Sequence, residues 1–293
     1  MGRMLRPTPC RVTLRVRQSR VVPADASWSW QPGVLLALAG TLALYGWRWR
    51  TTRAQDGPRA APTSRLLAAA TGVALLFAAL VSPVDRLGEQ LLVMHMTQHL
   101  LLLDLAPILL LVALTRVLMR PVTRRLLAVE GALGPLAHPA FAAVLYCATM
   151  ATWHVPALYD AALSHPVVHV AEHASLVAAG TLYWWHLLSP IRGRHPLTGL
   201  GPVVYMISTK LAVGLLGIAL TFSGDSLYDH YADGSRYWGL SALEDQNVAG
   251  ALMAFEQTIV MGIALLFLFI RALGESERRD QRAERYADAS GAS

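Results

Sequence analysis

The sequence predicts an all-α fold, a polytopic membrane bundle of about seven transmembrane helices, and three observations predict it. The 293 residues are 54% hydrophobic and only 15% charged, where a soluble domain carries about 25% charged residues. Apolar runs of roughly the 17 to 25 residues needed to cross a bilayer recur along nearly the whole chain. The arginines cluster in alternate connections between those runs, as the positive-inside rule requires of cytoplasmic loops. Lipid bilayer is therefore the first partner expected. The net charge of +6 is explained by these loops and is not a nucleic-acid footprint.

The expected spans are 31–49, 65–82, 88–114, 139–158, 166–188, 202–222 and 247–270. They form one domain over 29–272, between a basic tail (1–28, without a long apolar core, expected to be disordered) and a charged, solvated tail (273–293). Orientation follows from the connections. Those after spans 1, 3, 5 and 7 hold sixteen arginines, whereas the alternate ones hold only Arg86 and Arg236. The C-terminus is then cytoplasmic and the N-terminus outside. The six-arginine N-terminal tail runs against that rule. Cys10 and Cys147 stand far apart, one in the tail and one in the run "FAAVLYCATMA", so they build neither a disulfide framework nor a CxxC site.

With that orientation, His95 and His99 fall in the outer half of span 3 and His154 near the outer end of span 4. His165, His169 and His173 occupy the first turns of span 5, each four from the last and so on one helical face. Span 7 brings Asp245, Gln246 and Met253 to a similar depth, and Met94 and Met96 flank His95. His186 and His195 lie toward the inside. A single intramembrane histidine is ordinarily a hydrogen-bonded helix contact. Five or six at one level point instead to a site, since polar groups are costly in lipid and usually functional there. Imidazole suits copper, zinc, iron and nickel; copper heads the affinity order and thioethers favour Cu(I).

Two motifs allow other readings. "HVAEH" matches the H-x-x-E-H zinc site of one metalloprotease class, with Glu172 as general base, or else Glu172 orients a ligand imidazole. Paired histidines on facing helices also serve as axial haem ligands, as in a membrane electron carrier. A copper permease is a third alternative, although it should place ligands at both faces. Asp104, Glu172, Lys210 and Glu256 fall inside spans, where each needs a partner. Asp104 lies about 21 Å and Lys210 roughly 18 Å below the outer face at 1.5 Å per residue, so the two are expected to pair, with Glu256 as the competing partner. Trp184 and its aromatic neighbours read as interface anchors, and Pro156 and Pro190 as helix ends.

The stretches "HMTQHLLLLDLAPILLL", "TWHVPALYDAAL", "HPVVHVAEHASLVAAGTLYWWHLLSP" and "LEDQNVAGALM" together resemble the successive signatures of the CtaG-type cytochrome c oxidase assembly factors, over roughly residues 30 to 270. The resemblance implies a seven-span protein of a bacterial plasma membrane, needed to form an active terminal oxidase, with a part in supplying copper to it. The oxidase or its assembly intermediates would be the partner, and no turnover chemistry is implied. The matching residues are His95, Gln98, His99, Trp153, His154, Pro156, Tyr159, His169, Glu172, His173, Asp245, Gln246, Gly250 and Met253. The chain departs from the pattern in "AFEQ" after Met253, in "VALTR" at the end of span 3, and at Asp104. The ligands expected are His95, His99, His154, His169 and His173, with His165, Met94, Met96, Met253 and Asp245 accessory. Gln98, Glu172, Gln246, Asp104 and Lys210 would support them.

Overall fold

Prolines place many of the helix starts, because a first-turn position needs no N–H and the ring presets φ. The computed structural model describes residues 20–191, 193–232 and 235–291. Its elements are α1 (Pro32–Asp56), α2 (Thr63–Leu80) and α3 (Pro83–Gly88), then α4 (Leu92–Leu100), a π-helical turn (Leu101–Leu105) and α5 (Ala106–Val112). There follow α6 (Arg116–Leu133), α7 (Pro139–Trp153), α8 (Pro156–Ser164), α9 (Pro166–Leu188), α10 (Gly201–Thr221) and α11 (Ala242–Gly291).

Among the described residues, four stretches are long and apolar enough to cross a membrane: Thr63–Leu80, Leu92–Val112, Gly201–Thr221 and Ala242–Leu266. A fifth arises if Arg116–Ala137 and Pro139–Trp153, which meet at a 68° bend, count together. The molecule is an all-α membrane bundle. α1 and α9 have the length, but α1 ends in Arg48, Arg50 and Arg53 and α9 begins with His169, Glu172 and His173, which dilute their apolar character.

Several boundaries differ from the sequence expectation. The run 88–114 is not one regular helix: Leu91 is extended, and the π turn separates α4 from α5. Pro107 cannot donate to the carbonyl of Leu103 four residues earlier. At that place α9 closes in, with Gly180 against Leu103: a Cβ on Gly180 would stand 1.9 Å from the Leu103 oxygen. Only glycine fits. A second close crossing joins α10 to α11, where a Cβ on Gly217 or Gly250 would meet the opposing backbone at 2.6–2.9 Å. The run 139–158 breaks at His154–Val155, because Pro156 disfavours helical geometry at the residue before it and starts α8 anew.

The connection 115–138, expected as a loop, forms α6. Its internal Pro121 leaves the Val117 carbonyl without its helical donor. Arg48 of α1 supplies one, donating from Nη2 to Val117 at 3.3 Å and from Nε to the Leu118 carbonyl at 3.1 Å. The C-terminal stretch 273–291, expected as a charged, solvated tail, continues α11 as helix to Gly291. Residues 1–19 of the expected N-terminal tail lie outside the described residues. Residues 20–30 make contacts with the rest of the chain: Arg20–Val22 pairs in parallel with Ser235–Tyr237, and the Ser29 amide donates to the Val81 carbonyl at 2.9 Å.

The connections sort to two ends. One gathers residues 20–30, α3, α8 and residues 222–232 and 235–241, and it carries most of the histidines. The other gathers 57–62, α6 and residues 189–191 and 193–200: Thr115 donates to Ala60, Arg120 meets Asp56 at 2.9 Å, and Arg116 donates to Pro190. The arginine-rich connections thus share one end of the bundle.

Candidate metal centre

α4 offers His95 and His99 from one face, one turn apart. Its start has no cap of its own. Asp245, reaching across from the first turn of α11, accepts from the Leu92 and Val93 amides at 2.6 and 3.0 Å. This carboxylate does for α4 what an N-cap residue ordinarily does within its own chain segment. Gln98, beside them on the same helix, donates to the Ala79 carbonyl at 2.8 Å and to Asp85 at 2.9 Å, fixing the rotation of α4.

α9 lies opposite and supplies Glu172 and His173. One oxygen of Glu172 lies 3.5 Å from His95 Nε2 and 3.2 Å from His99 Nε2. One donor atom from each of His95, His99, Glu172 and His173 falls within 4.8 Å of the others, and all four residues are buried. The fit to a small cation can be tested on distances. Tetrahedral bonds of about 2.0–2.1 Å place neighbouring donors about 3.3–3.4 Å apart, close to the two Glu172 contacts. The fit can also be tested on polar satisfaction. Both ring nitrogens of His95 and His99, both oxygens of Glu172 and Nε2 of His173 are buried without a hydrogen-bond partner. Buried polar groups ordinarily find partners; here the unpaired atoms converge on one another, as ligands of one cation would.

His154 and His169 flank the four. His154 closes α7, and its Nδ1 sits 2.7 Å from the Met150 carbonyl. A carbonyl only accepts, so Nδ1 carries the proton and Nε2 presents a lone pair. That Nε2 is buried and unpaired, with the ring 6.4 Å from that of His99. The His169 ring is 4.1 Å from His173 and 5.8 Å from His95.

A roof of tyrosines closes the histidine end. Tyr159 of α8 lies 4.9 Å from the His95 ring, and its hydroxyl meets that of Tyr231 at 3.1 Å. Tyr231 in turn donates to the Gly88 carbonyl at 2.7 Å, and Tyr228 to that of His154 at 3.4 Å. Burial pushes the Tyr228 and Tyr231 hydroxyls above their ordinary range, so both stay protonated as donors.

Residues 43–275 match the model of the cytochrome c oxidase caa3 assembly factor family (Caa3_CtaG). The chain belongs to that family. Two uncharacterized proteins, one of Mycobacterium bovis and one of Mycobacterium tuberculosis, are each 25% identical to it over 281 residues, covering 88% of this chain and 42% of their own length. The chain thus spans less than half the length of the curated relatives it matches. No solved structure matches it significantly.

Within this family member, the structure sorts the residues named from the sequence. It brings together His95, His99, His173 and Glu172, with His154 and His169 beside them. Glu172, expected as a support, stands among the donors themselves. Asp245 has both oxygens committed to backbone amides. Gln246 accepts from the Leu227 amide at 2.8 Å and donates to the Asp225 carbonyl at 3.1 Å, pinning the connection that carries the roof. Met96 and Met253 pack into the apolar core, Met94 is half-buried, and His165 is exposed at the start of α9.

Asp104 and Lys210 meet at 2.7 Å, both buried. Asp104 sits on the π turn and accepts also from Trp184 Nε1 at 2.7 Å, from Tyr146 at 2.9 Å and from Gln257 at 3.3 Å. Lys210 donates to Tyr146 as well, at 2.7 Å. Glu256 joins through Gln257, whose amide donates to it. Trp184, expected as an interface anchor, is a buried partner of this charge pair; an indole donor at the depth of Asp104 was the available signal. Five helical segments are tied at this point.

Proposed function

We propose that this assembly factor holds a copper ion between His95, His99, His173 and Glu172, with His154 and His169 adjacent, and passes it to a terminal oxidase during that enzyme's assembly. The observation that carries the reading is the set of four buried donors, mutually within 4.8 Å and aimed at one another without hydrogen-bond partners. Copper is cargo here, so no turnover chemistry is required of the chain. The expectation of Cu(I) leaned on thioethers, whereas this group offers three imidazoles and a carboxylate. That set suits Cu(II) and other borderline divalent ions.

The accompanying topology has seven spans, in which α1, α7 and α9 join the four apolar stretches. The histidine end faces outward across a bacterial plasma membrane, and the arginine end faces the cytoplasm. Segregation of the arginine-rich connections to one end supports that orientation.

The alternatives fit less well. Axial haem ligation needs two imidazoles opposed across a flat macrocycle, whereas one carboxylate oxygen here touches both His95 and His99. A metalloprotease needs its glutamate beside a metal-bound water, and Glu172 stands among the donors. A permease should have ligands at both faces; among the described residues, no group of three or more ligating side chains forms at the arginine end.

The test compares His99→Ala and Glu172→Gln with His186→Ala and His195→Ala, measuring copper bound per chain alongside the abundance of this protein. The first pair should lower bound copper severalfold at near-normal abundance, and the second pair should leave both unchanged. Equal effects from both pairs, or effects that only track lost protein, would refute the site.

A further inference from the structure

A groove of about 1870 Å³ runs along α9 from the metal centre toward the arginine end. At one extreme His169 and His173 line it; at the other, His186 and Glu130. Building on the copper reading above, we propose that this groove is the docking surface for a transmembrane helix of the client oxidase subunit, one that carries the metal-accepting side chain (an imidazole, thiolate or thioether).

Three observations support a protein helix over lipid chains. The first is continuity. His173 is buried, its Nε2 has no hydrogen-bond partner, and the residue belongs to both the centre and the groove wall. The roof of Tyr159, Tyr228 and Tyr231 closes the histidine end, so this lateral wall is where an incoming ligand can reach the centre.

The second is the surface of α9. Ala174 and Ala178 are exposed in the groove, one turn apart. Small residues at this spacing let two helix backbones approach closely inside a bilayer. His169, Thr181 and His186, each only partly buried, put imidazole and hydroxyl groups on the same wall. Acyl chains bring no hydrogen-bond donors or acceptors to such groups, whereas a protein helix does.

The third is size. A helix about 10 Å across and about 24 Å long, roughly sixteen residues, fills such a volume. That length is most of the roughly 30 Å hydrocarbon core.

Transfer on this surface is ligand exchange. One bond from the copper to an imidazole of this chain breaks as one to the partner's side chain forms. The freed imidazole retains its lone pair, and no electrons change hands.

The experiment places a photoreactive residue at Ala178 in the full chain, in membranes that contain the oxidase, with the exposed Leu211 of α10 as the control position. Crosslinks are identified by mass spectrometry. A crosslink from position 178, but not 211, to a transmembrane segment of an oxidase subunit is the expected result. Crosslinks to lipid alone, or only to a second copy of this chain, would overturn the proposal. A second arm fills the groove with Ala178→Trp. Copper bound per chain of this protein should match wild type while oxidase copper falls severalfold; unchanged oxidase copper would overturn the proposal. The copper reading fails separately. Wild-type chain without copper would sink the metal centre, yet a crosslinked oxidase helix would still uphold the docking surface.

Discussion

Lys210→Met and Asp104→Asn should destabilise the bundle by different amounts, and the double variant should recover much of the loss. Both side chains are almost wholly buried, at 2% and 1% exposure, and lie 2.7 Å apart. Removing one member of a buried pair costs about 3–5 kcal/mol, because the other charge is left without compensation. Lys210→Met belongs at the upper end. It leaves the Asp104 charge buried without its counter-ion and removes the donor to Tyr146. Asp104→Asn belongs at the lower end, since Lys210 keeps Tyr146 and the asparagine oxygen can still accept from Lys210 and Trp184. At about 1.4 kcal/mol per factor of ten, the singles should shift the folded-to-unfolded ratio by roughly two to three and a half powers of ten. The double variant removes both charges, so a coupling of about 2–3 kcal/mol is expected. The assay is reversible unfolding of detergent-purified protein, read with steady-state abundance in membranes. Additive losses would refute the argument, and so would a Lys210→Met effect smaller than that of Asp104→Asn.

Three other outcomes are expected. Gly180→Ala should cost at least about 1–3 kcal/mol through overpacking, because its Cβ would stand 1.9 Å from the Leu103 oxygen; a thermal midpoint equal to wild type would show that α9 does not approach the π turn. Asp245→Ala should cost about 0.5–2 kcal/mol as a lost helix cap and also weaken copper binding at His95 and His99 on the same helix. Measured metal affinity that is unchanged in this variant would separate the cap from the centre. Reporter fusions in the 223–241 connection should be active only outside the cell and fusions within 116–138 only inside; the same location for both would break the proposed topology.

The apolar runs and the four-residue histidine spacing were legible because hydropathy and helical period survive without tertiary information. The Asp104–Lys210 contact was legible too. Depth along a span is simple arithmetic, and a buried charge must find its opposite. Less local features were hidden. The π turn depends on Pro107 and on Gly180 arriving from another helix, so the stretch itself reads as ordinary apolar helix. α6 carries Pro121 and many charges, and its helical form relies on Arg48 of α1. Asp245 looked like an accessory ligand because its depth matched the histidines; its actual role as cap for α4 depends on the register between α4 and α11. Glu172 shares a seam with His173 although adjacent side chains on a helix point about 100° apart. Both reach the centre because they flank the line where α9 faces α4, which only packing reveals.

Metal analysis of the detergent-purified chain tests the central claim most directly. Wild-type protein loaded with copper and freed of excess should retain one ion per chain, with X-ray absorption showing nitrogen and oxygen donors near 2.0 Å, and Glu172→Gln should retain far less at equal folding. Wild-type protein that keeps no copper, or a Glu172→Gln variant that keeps as much as wild type, would contradict the account.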